Sequence, residues 1–166
     1  MLSFLPKYIF PKLIDIEPQF LSERHIKLVL LDFDNTMLPY TKNEPSEELL
    51  RWIETMKENA FTLCIVSNSH KRRVPDFAEK YGLHCVIGAK KPRTKGILEA
   101  VRIHKAHKKQ TVLIGDQIYT DVLGANLAGV TSVIVKSIHN HNFWLKLRHV
   151  FEVPFLTLAA NRRVIR

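Results

Sequence analysis

The chain has 166 residues, 46% of them hydrophobic and 25% charged, which is enough for one domain with a real core. Twenty-five Lys and Arg outweigh sixteen Asp and Glu, a formal net charge of +9, and that favours an anionic partner: nucleic acid, an acidic membrane surface or a phosphorylated substrate. No window holds the ~18 uninterrupted apolar residues of a membrane span, and two cysteines, Cys64 and Cys85, in apolar strand-like surroundings argue against both a disulfide framework and a zinc site.

The opening stretch, MLSFLPKYIFPKLIDIEP, is apolar but broken by Pro6, Lys7, Pro11 and Lys12. It lacks the charged start, longer apolar centre and small-residue cleavage site of a secretory leader, so the sequence reads as cytoplasmic. Leu28-Val29-Leu30-Leu31 is the first predicted strand, and it stops at DFDNT. Side chains two apart on a strand point the same way, so Asp32 and Asp34 converge on one small volume. Carboxylates that close repel unless a cation or a shared proton relieves them. A turn in which Asp and Asn bond nearby backbone explains the same residues equally well.

A turn-rich stretch, PYTKNEPSEE, follows. Ser46 then precedes a helix in EELLRWIETMKENA, with Leu49, Leu50, Ile53 and Met56 at helical spacing and Glu47 and Glu48 in its first turn. FTLCIV is a second strand and runs straight into SNSH. A helix in KRRVPDFAEKYG carries Pro75 in its first turns and Gly82 past its end. HCVIG is a third strand, leading to the basic AKKPRTKG and a helix in GILEAVRIHKAH. TVLIG is a fourth strand, followed by DQIYTD, a helix around VLGANLAG and a fifth strand, TSVIVK. Strands that are continuously apolar and alternate with helices predict an α/β fold with a mainly parallel five-stranded sheet covered on both faces. One domain spans residues 1–166, and residues 137–166 form a basic, aromatic tail that breaks the alternation.

In such a sheet, ligands bind beyond the carboxyl ends of the strands. Those ends carry Asp32 and Asp34; Ser67 and Asn68; Lys90 and Lys91; and Asp116 with Asp121. Oxygen donors of this kind suit a hard divalent cation such as Mg²⁺. A carboxylate can attack phosphorus, a second can give a proton to the leaving alcohol, and a lysine with a hydroxyl can hold phosphate oxygens. Bland roles stand beside these. Ser67 and Asn68 suit a helix cap, Lys90 and Lys91 suit a solvated loop, and Asp121 suits a cap alone.

The ordered quartet DFDNT, Ser67 in VSNS, KKP and GDQIYTD resembles the haloacid dehalogenase (HAD) phosphatase superfamily. The resemblance implies a three-layer Rossmann-like fold and these roles. Asp32 is the nucleophile, forming an aspartyl-phosphate, and a metal ligand. Asp34 is the general acid and base and binds metal through its backbone carbonyl. Ser67, with N–H groups near Asn68, holds the phosphoryl group. Lys91, beside Pro92, stabilises the phosphoryl oxygens, with Lys90 as the alternative occupant of that role. Asp116 is a metal ligand, Asp121 orients the lysine or metal-bound water, and Thr36 shapes the turn. The metal implied is Mg²⁺.

The gaps between the first two strands and after the third are too short for a cap domain, so the fold reads as capless with an open site. The opening segment, AKKP, GDQIYTDVLGANLAG and the closing NRRVIR are most similar to the YqeG-like branch, related to phosphatidylglycerophosphate phosphatases. That branch implies hydrolysis of phosphatidylglycerophosphate to phosphatidylglycerol. It also fits a protein held peripherally on the inner face of an anionic membrane. Phe143, Trp144, Leu147 and Phe151 would enter the interface, with Lys146, Arg148, Arg162 and Arg163 at headgroups, unless these aromatics pack on the sheet. The alternatives are a phosphatase for a soluble sugar phosphate, nucleotide or phosphorylated macromolecule, and a basic nucleic-acid-binding module. Against the last stands the absence of zinc-finger spacing and of an aromatic RNA-binding signature.

Overall fold

The structure is a computed structural model and describes residues 4–138. The expected aromatic and basic contacts of the tail therefore lie outside the described residues, as does nearly all of the segment from Ser137 onward.

Six strands form one sheet: β1 (Tyr8–Phe10), β2 (Leu28–Leu31), β3 (Thr62–Val66), β4 (His84–Val86), β5 (Thr111–Gly115) and β6 (Thr131–Val135). Their spatial order is β1-β6-β5-β2-β3-β4, and every pairing is parallel. Five strands match the sequence expectation. The sixth, β1, lies in the opening segment, where Pro6 and Pro11 conceal it. Proline donates no N–H to a ladder and so belongs at an edge, and β1 is the edge strand beside β6.

The helices are α1 (Pro18–Ser22), α2 (Glu47–Glu58), α3 (Arg73–Lys80), α4 (Lys95–Ile103) and α5 (Leu123–Ala128). Ser46 caps α2, its Oγ accepting from Leu49 N at 3.2 Å. Gly129, at φ 76°, supplies the left-handed residue that ends α5. Alternation along the strands splits the core. Val29, Leu31, Leu63, Ile65, Val112 and Ile114 face α2 and α3, packing with Trp52, Ile53, Met56 and Phe77. Leu28, Leu30, Cys64, Val66 and Leu113 face the other way, against Ile97, Ala100 and Ala125 of α4 and α5. Both faces of β2 are thus dry, which is why LVLL shows no polar alternation. Trp52 ties the opening segment to this core, its indole N–H donating to Ile16 O at 2.8 Å.

From β2 the chain moves outward through β3 to β4, then returns to the opposite side of β2 as β5. Strand order therefore reverses between β2 and β5. Asp32 follows β2 and Asp116 follows β5, so both acids stand at the switch point where such sheets leave a crevice.

Candidate active site

Asp32 remains in the sheet by its backbone, donating its N–H to Ile114 O at 2.9 Å. Its carboxylate meets the ammonium of Lys91, Nζ to Oδ1, at 2.6 Å. The same ammonium lies 2.7 Å from Asp121 Oδ1. Asp32, Asp116 and Asp121 offer oxygens that all lie within 4.8 Å of one another. Thr36 bridges two of them: its Oγ1 is 3.2 Å from Asp32 Oδ2 and 3.4 Å from Asp116 Oδ1. The lone hydroxyl proton serves one carboxylate at a time. Thr36 and all three acids are buried.

Three buried carboxylates thus meet one buried ammonium, and the imbalance appears in their proton affinities. Burial, with repulsion from Asp121 and Asp34, outweighs the pull of Lys91 and pushes the Asp32 carboxyl up to about 6. Burial and the charges of Asp32 and Asp121 hold Asp116 well above the carboxylate range. Burial works against the charge of Lys91, yet Asp121 and Asp32 overcome it and hold the lysine above its ordinary value. A hard divalent cation would relieve the remaining repulsion, and buried oxygen donors are the ligands it takes. The residues present fit such an ion, with Asp32, Asp116 and Asp121 as the candidate side chains.

Asp34 behaves otherwise. Alternation along the strand places it with Asp32, but β2 ends at Leu31 and the chain turns. Asn35 takes φ 65°, and Asp34 pairs with Leu38 across a tight turn. The Asp34 carboxylate swings to Arg73, 3.3 Å from Nη1. Asp34 still borders the same cavity of about 350 Å³, together with Asp32, Ser67, Asn68, Lys91 and Tyr40. Burial lifts its carboxyl above the ordinary value against the opposing pull of Arg73 and Lys71. A larger cavity of about 370 Å³, between Lys12, Met37 and Ile138, touches none of these carboxylates.

Ser67 and Asn68 do not cap α3, which begins five residues after Asn68 at Arg73. Ser67 Oγ accepts from Ser69 N at 3.1 Å, forming the turn. Asn68 grips the backbone of Lys91 on both sides, accepting from its N–H at 2.6 Å and donating to its carbonyl at 3.0 Å. That clamp aims the lysine. Lys90, at φ 56°, is exposed, while Lys91 is 5% exposed. Lys91→Ala is therefore expected to lower hydrolysis of a small phosphomonoester by about 10²-fold or more, and Lys90→Ala by less than about threefold. Steady-state rates of the two variants check this; the reverse order would refute the placement.

Asp121 is far from a simple cap. It sits in a widened turn, Ile118–Val122, 1% exposed, and accepts from Gln117 N at 3.1 Å through its second oxygen. A Cβ on Gly115 would lie 2.3 Å from Asp121 Cγ, so glycine there lets the carboxylate settle against the strand end. Sequence reading did not single out Tyr40, which lines the cavity, or the cations that hold it, Lys71 and Arg73. Arg73 lies in the run KRR, where nothing in the residue types tells the inward-turned cation from its neighbours.

The profile of a family described as mitochondrial PGP phosphatase matches residues 2–138. Over 132 residues the chain is 38% identical to the probable phosphatase YqeG of Bacillus subtilis, covering 80% of this chain and 77% of the relative. Among solved structures, the cobalt-bound deoxy-D-mannose-octulosonate 8-phosphate phosphatase of Haemophilus influenzae superposes with TM-score 0.55 at 16% identity, over 85% of this chain and 95% of that one. An uncharacterized protein from Listeria monocytogenes serotype 4b gives TM-score 0.57 at 15% identity, over 71% and 84% of the two chains. These two likenesses speak for the fold. With the profile match and the YqeG identity, the conclusion is that the chain belongs to the mitochondrial PGP phosphatase family, the YqeG branch of the HAD-type phosphatases.

Proposed function

We propose that the chain hydrolyses the terminal phosphate of phosphatidylglycerophosphate through an aspartyl-phosphate on Asp32, with Mg²⁺ as its metal. The observation that carries the chemistry is the Lys91 ammonium between Asp32 and Asp121, with Asp116 completing an acidic triad beside an open cavity. An Asp32 oxygen attacks phosphorus as the bond to the alcohol oxygen breaks, and Asp34 gives that oxygen its proton. Asp34 then takes a proton from the water that attacks the acyl phosphate, releasing phosphate and restoring the Asp32 carboxylate. Lys91 holds the phosphoryl oxygens, and Ser67 with the N–H groups around Asn68 receives the rest. Mg²⁺ bound by Asp32, Asp116 and the Asp34 backbone carbonyl, with Asp121 close by, would neutralise charge on the phosphoryl group.

The substrate assignment rests on the family description and on two physical features. The chain carries a net charge of +9, which attracts anionic lipid at about 1 kcal/mol per Lys or Arg at the surface. Among the described residues, no helix is long and apolar enough to cross a membrane. A peripheral, reversible association with an anionic surface accommodates both.

The expected result is Mg²⁺-dependent phosphate release from phosphatidylglycerophosphate in mixed micelles, stopped by chelator. The rate should exceed that on sugar phosphates and nucleotides by at least about tenfold in kcat/KM. Equal or faster turnover of a soluble phosphate would move the assignment to that substrate and leave the chemistry intact.

A further inference from the structure

We propose that Arg73 is a positioning residue that holds the proton donor and the substrate-facing loop in one fixed arrangement. The proposal rests on the reading of Asp34 as the general acid.

Arg73 opens α3, and its side chain is 13% exposed. Its guanidinium makes five contacts at once. Nη1 donates to Tyr40 O at 2.6 Å and lies 3.3 Å from Asp34 Oδ1. Nη2 donates to Lys42 O at 2.6 Å and to Pro39 O at 3.1 Å. The guanidinium carbon lies 5.1 Å from the Phe33 ring centre, so Phe33 packs beneath the cation. Phe33 is the residue between the two site aspartates.

Three carbonyls of one loop and the carboxylate of Asp34 thus share a single planar fork. Lysine, with one nitrogen, cannot reproduce that geometry. The loop so held carries Tyr40 to the cavity rim, where its hydroxyl contacts the Lys71 ammonium. Tyr40 N in turn donates to Asn35 Oδ1 at 3.2 Å, within the turn that follows Asp34. Without Arg73, Asp34 would lose the ion pair that fixes its rotamer, and the loop would lose three hydrogen bonds together.

A displaced proton donor harms substrates unequally. An alkyl phosphate releases a strongly basic alkoxide and needs the proton. A p-nitrophenyl phosphate releases a stabilised anion and does not. A merely structural role would depress both alike.

The experiment measures kcat on glycerol 1-phosphate and p-nitrophenyl phosphate for wild type, Arg73→Met, Arg73→Lys and Asp34→Asn, with Mg²⁺ present and thermal melts confirming folding. Arg73→Met should lose about tenfold or more on the alkyl substrate and less than about threefold on the aryl one, following in lesser degree the split of Asp34→Asn. Arg73→Lys, which keeps the stem and the charge, should show the same split at a smaller ratio, and it serves if the methionine variant does not fold. Equal losses on both substrates, or no loss on either, would overturn the proposal. If Asp34→Asn itself shows no split, the acid reading is wrong, and the role given to Arg73 falls with it.

Discussion

Asp32→Asn should abolish phosphomonoester hydrolysis, lowering kcat by at least about 10⁴-fold, or ~5.5 kcal/mol of barrier. The amide keeps the shape of the carboxylate: its oxygen can still accept from the Lys91 ammonium, and its NH2 then faces the Thr36 hydroxyl, which can accept from it. It cannot form the acyl phosphate, because amide oxygen is a poor nucleophile toward phosphorus. The variant should fold, since the charge it removes lies in a cluster with an acidic excess. Circular dichroism and a thermal melt alongside the rate assay separate lost chemistry from lost structure. Residual turnover within about tenfold of wild type would exclude Asp32 as the nucleophile.

The second large effect joins metal to stability. Without a cation the Asp32 carboxyl stands at about 6 against an ordinary 3.8, and Asp116 is displaced in the same direction. A raised carboxyl means that the folded state holds its proton more tightly than the unfolded chain. Stability from this source is full below 3.8 and is lost as pH rises through about 6. For Asp32 that loss is on the order of 2–3 kcal/mol. The metal-free protein is therefore expected to melt on the order of 5 °C lower at neutral pH than near pH 5. Mg²⁺ well above its dissociation constant should erase the difference, because a bound cation favours the ionised carboxylates. Asp116→Asn removes one of the repelling charges. It should melt above wild type in chelator, respond weakly to Mg²⁺ and be inactive. Melts across pH with and without metal read all three effects. A wild-type melting temperature indifferent to Mg²⁺, or an Asp116→Asn variant less stable than wild type in chelator, would count against the metal reading.

Most of the fold could be read from LVLL, TLCIV and TVLIG, because strands dry on both faces are written as unbroken apolar runs. The edge strand could not: YIF is three residues long between two prolines and only half-buried, so neither periodicity nor an apolar run marks it. The main-chain order of the motifs foretold which side chains would gather, because parallel strands bring their carboxyl ends to one edge. Which oxygens face which cation could not be foretold. The period-2 rule put Asp32 and Asp34 together, but it holds only while the chain stays extended, and the left-handed Asn35 shows that the chain has already turned. The two acids consequently answer to different cations, Lys91 and Arg73. Lys90 and Lys91 are identical as residue types. The Asn68 clamp, 23 residues away in sequence, helps set them apart by fixing the backbone of Lys91. Arg73 was hidden too: three of its partners are backbone carbonyls, which leave no mark on the sequence, and Asp34 lies 39 residues away.

Phosphate is expected to pass through Asp32 on its way to water. Quenching the enzyme in borohydride during turnover of a phosphomonoester with Mg²⁺ reduces an acyl phosphate to an alcohol, turning that aspartate into homoserine. Peptide mass spectrometry should find homoserine at residue 32, dependent on substrate and metal and absent from samples quenched without either. Continued turnover with Asp32 recovered unchanged, or reduction at Asp34, Asp116 or Asp121 instead, would contradict the account.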